Sequence, residues 1–251
     1  MSNIVIIPTY RERENIEAII RAVFSLPVQF DVLVIDDNSP DGTADLVKQL
    51  QESFSGLHLV ERPGKLGLGT AYIEGFSFAL DRDYQYIFEM DADFSHNPED
   101  LVRLLKACND DSADVAIGSR YISGVNVVNW PLSRVLLSYF ASSYVRCITG
   151  MKVMDTTAGF VCYKRKVLDD LKPHHIKSVG YGFQIEMKFT AWQLGYKIVE
   201  IPIIFTDRKS GTSKMSGGIF SEALWGVLRM KIRSYFIKYH KSNPESEPAS
   251  T

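Results

Sequence analysis

The chain has few cysteines and no long hydrophobic run, and each absence excludes a class of protein. Three cysteines occur in 251 residues, Cys108, Cys147 and Cys162, and no two of them form a CxxC pair. This pattern predicts reduced core thiols and argues against a disulfide framework or a zinc site. No window holds the roughly 18 uncharged apolar residues needed to span a bilayer, which excludes an integral membrane protein.

Strong charge of one sign is also absent. A net charge of -2 gives no reason to expect a nucleic-acid partner. The chain begins without the basic start and apolar stretch of a secretory signal, so a cytoplasmic location is expected. Charge is nevertheless uneven, because residues 208–241 carry eight basic side chains and one acid, Glu222, for a net charge of +7.

Short apolar runs alternate with stretches of helical spacing in the first half. The runs rich in Val, Ile and aromatic residues lie at 3–8, 30–35, 57–60, 84–90 and 114–117. Between them, apolar residues recur at helical intervals, as in Ile16, Ile19 and Ile20. This predicts an α/β fold with a Rossmann-like, mostly parallel sheet flanked by helices. Binding loops are then expected at the carboxyl ends of strands, after Ile7, Ile35 and Met90.

The second half is less regular but still contains recognisable elements. Helices are predicted at 131–148 and 183–194, and strands at 159–163 and 197–202. A long amphipathic C-terminal helix is predicted at 219–239. The last residues, 242–251, have almost nothing to bury and are predicted to be disordered.

Two carboxylates follow the apolar run that ends at Met90. Asp91 and Asp93 are separated by one small residue, and in an extended backbone such residues point to the same side. Both can therefore face one divalent cation, Mg²⁺ or Mn²⁺, and the diphosphate that it neutralises, which is typical of a nucleotide-sugar site. The same segment also contains a helix cap, with Asn97 before a helix that starts at Pro98.

Other loops offer groups that suit a nucleoside. Aromatic and acidic residues after the first two strands can stack on a base and accept hydrogen bonds from it or from a ribose. Asp41 is instead predicted to cap the following helix. KLGLGT, at 65–70, fits no dinucleotide motif because Tyr72 stands in place of the third glycine, and it predicts a tight turn near the nucleotide. His96, His174 and His175 are expected at the surface or as caps.

Seven segments in this order resemble dolichol-phosphate mannose synthases: PTYRERENI, VIDDNSPDGT, KLGLGTAY, MDADFSHNP, IGSRY, YGFQIEM and DRKSGTSKM. These are inverting glycosyltransferases of the GT-A fold, in the large family that also contains cellulose and chitin synthases. The similarity covers residues 3–239. It implies transfer of mannose from GDP-mannose to the phosphate of a polyprenol (dolichyl or undecaprenyl) monophosphate, with inversion at the anomeric carbon.

The resemblance also implies roles for single residues. Asp91, Asp93 and Ser95 would hold the metal and the diphosphate. Some archaeal relatives have a glutamine at the position of Ser95 that contacts the metal directly, whereas in this chain a water can bridge Ser95 to the metal. Gln184 and Glu186 would line the sugar pocket, unless they lie on the helix surface. The remaining donor-site residues implied by the resemblance are Pro8, Tyr10, Glu12, Asp37, Lys65, Gly69, Arg208 and Lys214.

Two arginines complete the implied catalytic set. Arg120 and Arg134 would grip the acceptor phosphate, while Asp91 and Asp93 act with the cation on the leaving GDP. The acceptor phosphate is already an anionic nucleophile, so no general base is assigned. Positioning and charge neutralisation are expected to supply most of the reduction of the barrier.

We expect a single GT-A catalytic domain at 1–241. It would consist of a nucleotide-binding half at 1–118, an acceptor half at 119–216 and an interfacial amphipathic helix at 217–241. The apolar faces of the helices at 131–148 and 219–239, the second interleaved with basic residues, predict peripheral contact with the cytoplasmic face of a membrane. The alternative is that these faces complete the core. Because some relatives borrow membrane helices from small subunits, a small membrane-anchoring subunit is a further candidate partner.

Two other functions remain open from the sequence, and a third, a nucleotidyltransferase, is disfavoured. A polyprenyl-phosphate glucosyltransferase that uses UDP-glucose would share the DxD motif and the first two loops. A non-catalytic nucleotide-sugar-binding subunit would tolerate the loss of Asp91 and Asp93, which are intact here. A nucleotidyltransferase would carry a Gly-rich loop with Arg and Lys after the first strand, where this chain has PTYRERENI.

Overall fold

The structure is a computed structural model that describes residues 2–178, 180–207, 217–237, 239 and 241. The strands are β1 (Asn3–Thr9), β2 (Asp31–Asp36), β3 (Leu57–Glu61), β4 (Tyr86–Glu89), β5 (Val115–Ser119), β6 (Val127–Val128), β7 (Val161–Lys164), β8 (Ile198–Pro202) and β9 (Phe205–Thr206). The helices are α1 (Arg13–Phe24), α2 (Thr43–Gln51), α3 (Leu68–Leu80), α4 (Asp100–Asn109), α5 (Leu132–Thr149), α6 (Arg165–Leu171), α7 (Tyr181–Gln193) and α8 (Gly217–Ser234).

Seven strands form one sheet in the order β3-β2-β1-β4-β7-β5-β8. Every neighbouring pair is parallel except the two pairs that β7 makes with β4 and β5. β6 and β9 form a separate two-stranded parallel ladder. The predicted α/β fold with a mostly parallel, helix-flanked sheet is confirmed.

Helices cover both faces of the sheet because successive side chains of a strand point to opposite sides. Ile6 of β1 belongs to the core cluster on one side, together with Phe76 of α3. Ile7 belongs to the cluster on the other side, together with Ile20 of α1. All four side chains are fully buried, and each contributes about 1.5–3 kcal/mol through loss of water contact.

The second half follows the predicted elements with differences at their ends. α8 ends at Ser234, before the predicted end at 239. The backbone N–H groups of Tyr235 and Phe236 bond to carbonyls three residues earlier, which tightens the last turn and ends the helix. No helix in the described part of the chain is both long and apolar enough to cross a bilayer. The tail predicted to be disordered lies outside the described residues.

The prediction that all three cysteines are core thiols is only partly correct. Cys108 and Cys162 are free and buried, as predicted, but Cys147 is exposed. Its helix, α5, buries Ser142, Val145 and Thr149 along one face, and Cys147 points away from that face. The prediction of a core thiol is therefore wrong for Cys147.

Candidate active site

The carboxyl ends of the parallel strands meet at one edge of the sheet. The register places Thr9 beside Asp36 and Ile6 beside Glu89, so the loops that follow β1, β2 and β4 lie together. β7 runs the opposite way, which brings the segment before it, residues 155–160, to the same edge. The predicted grouping of the loops after Ile7, Ile35 and Met90 is thus present.

Asp36 ties the first two loops together from a fully buried position. Its carboxylate accepts hydrogen bonds from the Thr9 hydroxyl at 2.8 Å and from the backbone N–H and hydroxyl of Ser39 at 2.8 and 2.7 Å. The Ser39 hydroxyl in turn accepts from the backbone N–H of Arg11 at 3.0 Å. Three local bonds to one buried carboxylate fix the spacing between the loops.

Asp37 is held by an arginine that sequence reasoning missed. Arg62 is buried, and its Nε donates to Asp37 Oδ1 at 2.6 Å. Its Nη1 donates to the Thr70 hydroxyl at 2.7 Å, and its Nη2 donates to the carbonyl of Gly67 at 3.3 Å. Arg62 directly follows β3, so it lies at a strand end like the other loop residues, and that position was the available signal.

Tyr10 and Lys65 approach each other from different loops. The Lys65 Nζ lies 5.1 Å from the centroid of the Tyr10 ring, within cation–π range. Pro8 is half-buried at the end of β1. Glu12 accepts a hydrogen bond at its Oε2 from the Asn15 side chain at 3.0 Å. These predicted donor-site residues all lie at the same edge.

The glycines of KLGLGT have separate tasks. Gly67 has a φ of +103°, which supplies the predicted tight turn before α3. Gly69 lies inside the first turn of α3, contrary to the expectation that it forms part of the tight turn. A Cβ there would lie 2.9 Å from the Phe183 ring of α7, so only glycine allows α3 to pack this closely.

Asp91 and Asp93 lie in the loop between β4 and α4, where an oxygen-lined metal site is expected. Asp93 Oδ1 accepts from the Ser95 N–H at 3.1 Å. Ser95 is buried, and its hydroxyl has no hydrogen-bond partner among the described residues. Carboxylate and hydroxyl oxygens suit Mg²⁺ or Mn²⁺. No group of three or more His, Cys, Asp and Glu that could hold a metal occurs in the described ranges. Mg²⁺ is commonly bound by one or two carboxylates plus substrate phosphates, so the residues fit such an ion.

The two predicted helix caps have different outcomes. Asp41 Oδ1 accepts from the N–H of Thr43, the first residue of α2, at 3.1 Å, but the N-cap of α2 is Gly42, so Asp41 stabilises the start of the helix from one residue before the cap. Asn97 Oδ1 accepts from the Glu99 N–H at 3.2 Å, but α4 begins at Asp100. Asn97 therefore stabilises a turn before α4, and the predicted helix start at Pro98 is two residues early.

A buried polar network holds the end of β4, directly before the Asp91 loop. Gln184 donates to Glu89 Oε2 at 2.6 Å, and Lys188 Nζ donates to the Gln184 side-chain oxygen at 3.0 Å and to the Ala158 carbonyl at 2.6 Å. Burial raises the pKa of Glu89 and lowers the pKa of Lys188, because each charge loses water. The network joins β4, α7 and the segment that precedes β7.

Gln184 and Glu186 are both buried, so the helix-surface alternative is wrong for both. They are two positions apart on α7 and therefore point to different sides of it. Gln184 faces Glu89, whereas Glu186 Oε2 accepts from the backbone N–H groups of Lys177 and Ser178 at 3.2 and 3.0 Å.

Arg120 is buried and forms an ion pair that the sequence did not reveal. Its Nε and Nη2 donate to the two carboxylate oxygens of Asp155 at 2.7 and 2.6 Å, and Nη2 also donates to the Thr157 hydroxyl at 2.9 Å. Although burial alone would raise it, the Arg120 guanidinium keeps the pKa of Asp155 below its ordinary value. Glu200 of β8 accepts hydrogen bonds from the backbone N–H groups of Met154 and Asp155. These bonds fix the backbone that carries the Asp155 carboxylate.

Arg134 of α5 lies beside Trp130 and Asp207. Its Nη1 lies 3.1 Å from both carboxylate oxygens of Asp207, and its guanidinium carbon lies 4.1 Å from the Trp130 ring centroid. The Arg120 guanidinium carbon lies 5.5 Å from the same centroid. The two arginines predicted to grip a phosphate are thus brought together. Arg208 and Lys214 lie outside the described residues.

His96 is buried, contrary to the expectation of a surface or capping residue. Its ring stacks on Phe160 with centroids 4.8 Å apart and meets the edge of Phe205 at 5.3 Å. Burial lowers the pKa of His96 to about 4, so its imidazole is neutral at neutral pH. It joins the Asp93 loop to the aromatic group around Trp130. His174 and His175 are exposed, as expected.

Comparison with known proteins places this arrangement in a family. The profile of Glycosyl transferase family 2 matches residues 4–172. A polyprenol monophosphomannose synthase of Mycolicibacterium smegmatis is 46% identical over 231 residues, which cover 92% of this chain and 87% of that protein. An undecaprenyl-phosphate mannosyltransferase of Micrococcus luteus is 44% identical over 229 residues, covering 91% and 93%.

A solved structure shares the fold at low sequence identity. It is the mannosyltransferase PcManGT of Pyrobaculum calidifontis in complex with GDP-mannose and Mn²⁺, with a TM-score of 0.54 and 17% identity over 92% of this chain and 73% of that one. At this identity the likeness concerns the fold. The family profile matches more than half of the residues of this chain. The chain therefore belongs to glycosyl transferase family 2 and is a glycosyltransferase of the GT-A fold.

Proposed function

We propose that the protein transfers mannose from GDP-mannose to the phosphate of a polyprenol monophosphate, with inversion at the anomeric carbon. The observation that carries this proposal is the identity of 46% over 92% of the chain to a polyprenol monophosphomannose synthase. The geometry supports it, because two carboxylates and two arginines lie at one edge of the sheet, where α/β proteins bind ligands. The structural relative in complex with GDP-mannose and Mn²⁺ is consistent with this donor.

The donor side is assigned to the half at 1–118. Pro8, Tyr10, Glu12 and Asp37 would hold the nucleoside, with Lys65 and Gly69 beside it. The contact between Lys65 and Tyr10 supports a shared binding surface. Arg62 adds to it by orienting Asp37 with a 2.6 Å charge-assisted bond.

A divalent cation, Mg²⁺ or Mn²⁺, held by Asp91, Asp93 and Ser95 would neutralise the diphosphate and stabilise the leaving GDP. The buried hydroxyl of Ser95, without a partner among the described residues, is consistent with a direct or water-mediated role. Glu89, the last residue of β4 before this loop, accepts a hydrogen bond from Gln184 at 2.6 Å. This contact would keep the Asp91 and Asp93 carboxylates in place during the reaction.

The acceptor side is assigned to the half at 119–216. Arg120 and Arg134 would bind the acceptor phosphate, with Arg208 and Lys214 adding positive charge. A phosphate oxygen attacks the anomeric carbon of mannose from the side opposite GDP; the new carbon–oxygen bond forms as the bond to the diphosphate breaks. The attacking oxygen carries no proton that must be removed, so the residues contribute positioning and charge neutralisation.

We also propose that the protein meets its lipid acceptor at a membrane surface. Four side chains of α5 are exposed although apolar: Leu132, Leu136, Leu137 and Phe140. The last helix, within the interfacial segment 217–241, and the turn after it expose Trp225, Ile232, Tyr235 and Phe236. α8 lies against α5, where Lys231 Nζ donates to the Thr149 carbonyl at 3.3 Å. Each basic residue near anionic lipid would contribute about 1 kcal/mol.

Vesicle flotation tests the membrane contact. The full-length protein should float with vesicles containing anionic lipid at low salt, and should do so less at high salt or with the Phe140→Ser and Phe236→Ser double variant. Protein that stays at the bottom of the gradient at low salt contradicts direct contact. Flotation that requires a co-expressed small membrane subunit would replace direct binding by a protein anchor.

Transfer of label tests the reaction itself. Radiolabelled GDP-mannose, Mg²⁺ or Mn²⁺ and a short polyprenyl phosphate are incubated with the protein, and label entering the organic phase is counted. Asp93→Asn should abolish transfer, while Asp81→Asn, at an exposed position away from this edge, should not. Transfer from UDP-glucose but not from GDP-mannose would overturn the donor. No transfer from either would overturn the proposed activity of the isolated chain.

A further inference from the structure

Trp130 lies close to both arginines proposed to bind the acceptor phosphate. The Arg134 guanidinium carbon is 4.1 Å from its ring centroid, and that of Arg120 is 5.5 Å away. Both distances fall within the range of about 6 Å in which an aromatic face attracts a cation, and tryptophan attracts most strongly. One indole therefore contacts both guanidinium groups.

Each arginine is also held by its own carboxylate. Asp155 binds Arg120 through two parallel bonds, and Asp207 binds Arg134 at 3.1 Å. These carboxylates belong to different segments of the chain, Asp155 before β7 and Asp207 after β9. Trp130 contacts both guanidinium groups, and it can set the distance between them.

A series of ring contacts connects Trp130 to the loop that carries Asp93. Its ring meets Phe205 with centroids 5.2 Å apart, and Phe205 meets His96, which stacks on Phe160. His96 lies three residues after Asp93. A continuous row of rings thus joins the arginine pair to the loop that carries the proposed metal ligands.

We infer that Trp130 is a positioning residue that holds Arg120 and Arg134 at the separation needed to bind one phosphate group together. Two guanidinium groups repel each other, and a phosphate binds best where two of them converge without further rearrangement. The indole face attracts both cations and reduces the cost of holding them close. This inference rests on the proposed function, because the phosphate is taken to be that of the acceptor.

Three variants of the full-length protein test the inference by steady-state kinetics. Trp130→Leu keeps an apolar side chain but removes the aromatic face, and Trp130→Phe keeps a smaller one. Trp192→Leu is the matched control, because Trp192 packs against Phe189 in another part of the molecule. We expect Trp130→Leu to raise the KM for polyprenyl phosphate at least tenfold with less than a twofold change in the KM for GDP-mannose. Trp130→Phe should recover most of the loss.

A binding measurement separates this inference from the proposed reaction. In a Trp192→Phe, Trp225→Phe protein, Trp130 is the remaining tryptophan of the three in the chain, and its fluorescence should change on titration with farnesyl phosphate without donor. Adding Arg134→Gln to that protein should weaken the titration at least tenfold. A flat titration, an unchanged acceptor KM in Trp130→Leu, or equal losses with Phe and Leu would overturn the inference. Transfer by the wild type alongside any of these results would leave the proposed function standing.

Discussion

Asp155→Asn tests the buried ion pair that holds Arg120. Asp155 is fully buried, and its carboxylate accepts from the Arg120 backbone N–H at 3.0 Å as well as from two side-chain nitrogens. Asparagine keeps the shape and one acceptor oxygen but removes the charge. The guanidinium of Arg120, itself 8% exposed, would then be buried without its counterion.

The expected loss follows from this burial. Removing one partner of a buried pair costs about 3–5 kcal/mol, because the other charge stays desolvated. Since an amide oxygen at the position of Oδ2 keeps the bonds from the Arg120 backbone N–H and Nε, we expect a decrease near the lower limit, about 3 kcal/mol in the free energy of unfolding at pH 7. Asp83→Asn is the matched control, because Asp83 is 91% exposed in its side chain and pairs with Arg165 at 3.6 Å. A surface pair of this kind is worth about 0–1 kcal/mol.

The pH dependence of the free energy of unfolding provides a second test of this prediction. The folded-state pKa of Asp155 is below its ordinary value of 3.8, so the pair stabilises the fold fully above that value. This stability is lost as the pH falls through the lower, folded pKa. The difference between wild type and Asp155→Asn should therefore be constant from neutral pH to about pH 5 and shrink below about pH 4. Urea unfolding measures it, and a loss under about 1 kcal/mol at pH 7 would refute the reasoning.

Three further changes probe other parts of the structure. Arg62→Lys removes the 2.6 Å bond from the guanidinium Nε to Asp37 and should raise the KM for GDP-mannose about tenfold, or about 1.4 kcal/mol, in the transfer assay. Gly69→Ala forces a Cβ against Phe183 and should destabilise the protein by about 1–3 kcal/mol in thermal unfolding; Gly64→Ala, with open space around it, should not. Ellman's reagent should modify Cys147 rapidly in the native protein and all three thiols after unfolding. Unchanged donor KM, an unchanged melting temperature or three fast thiols would contradict the respective prediction.

The sheet and its flanking helices could be predicted because their signal is local. Runs such as Ile4 to Ile7 are buried on both faces, which leaves a continuous apolar stretch in the sequence. α6 was not predicted, since its seven residues give too few turns for a periodic pattern. The antiparallel direction of β7 was also not predicted, because it depends on distant strands rather than on residues 161–164.

The site could be predicted only where its residues follow strands in recognisable patterns. Asp91 and Asp93 were singled out as candidates because two carboxylates follow an apolar run, whereas Arg62 and Asp155 were missed. A charged residue is read as solvated from its own neighbourhood, and these two are buried because partners 25 and 35 residues away neutralise them. His96 was placed at the surface for the same reason, since Phe160 and Phe205, which bury it, come much later in the chain.

The anomeric configuration of the product tests the central claim most directly. GDP-mannose labelled with carbon-13 at the anomeric position is incubated with a short polyprenyl phosphate, and the organic-phase product is examined by NMR for its one-bond carbon–hydrogen coupling and its coupling to phosphorus. The account predicts a β-linked mannosyl phosphate, inverted from the α-linked donor, with phosphorus coupled to the labelled carbon. An α-linked product, or mannose attached elsewhere than to the phosphate, would contradict it.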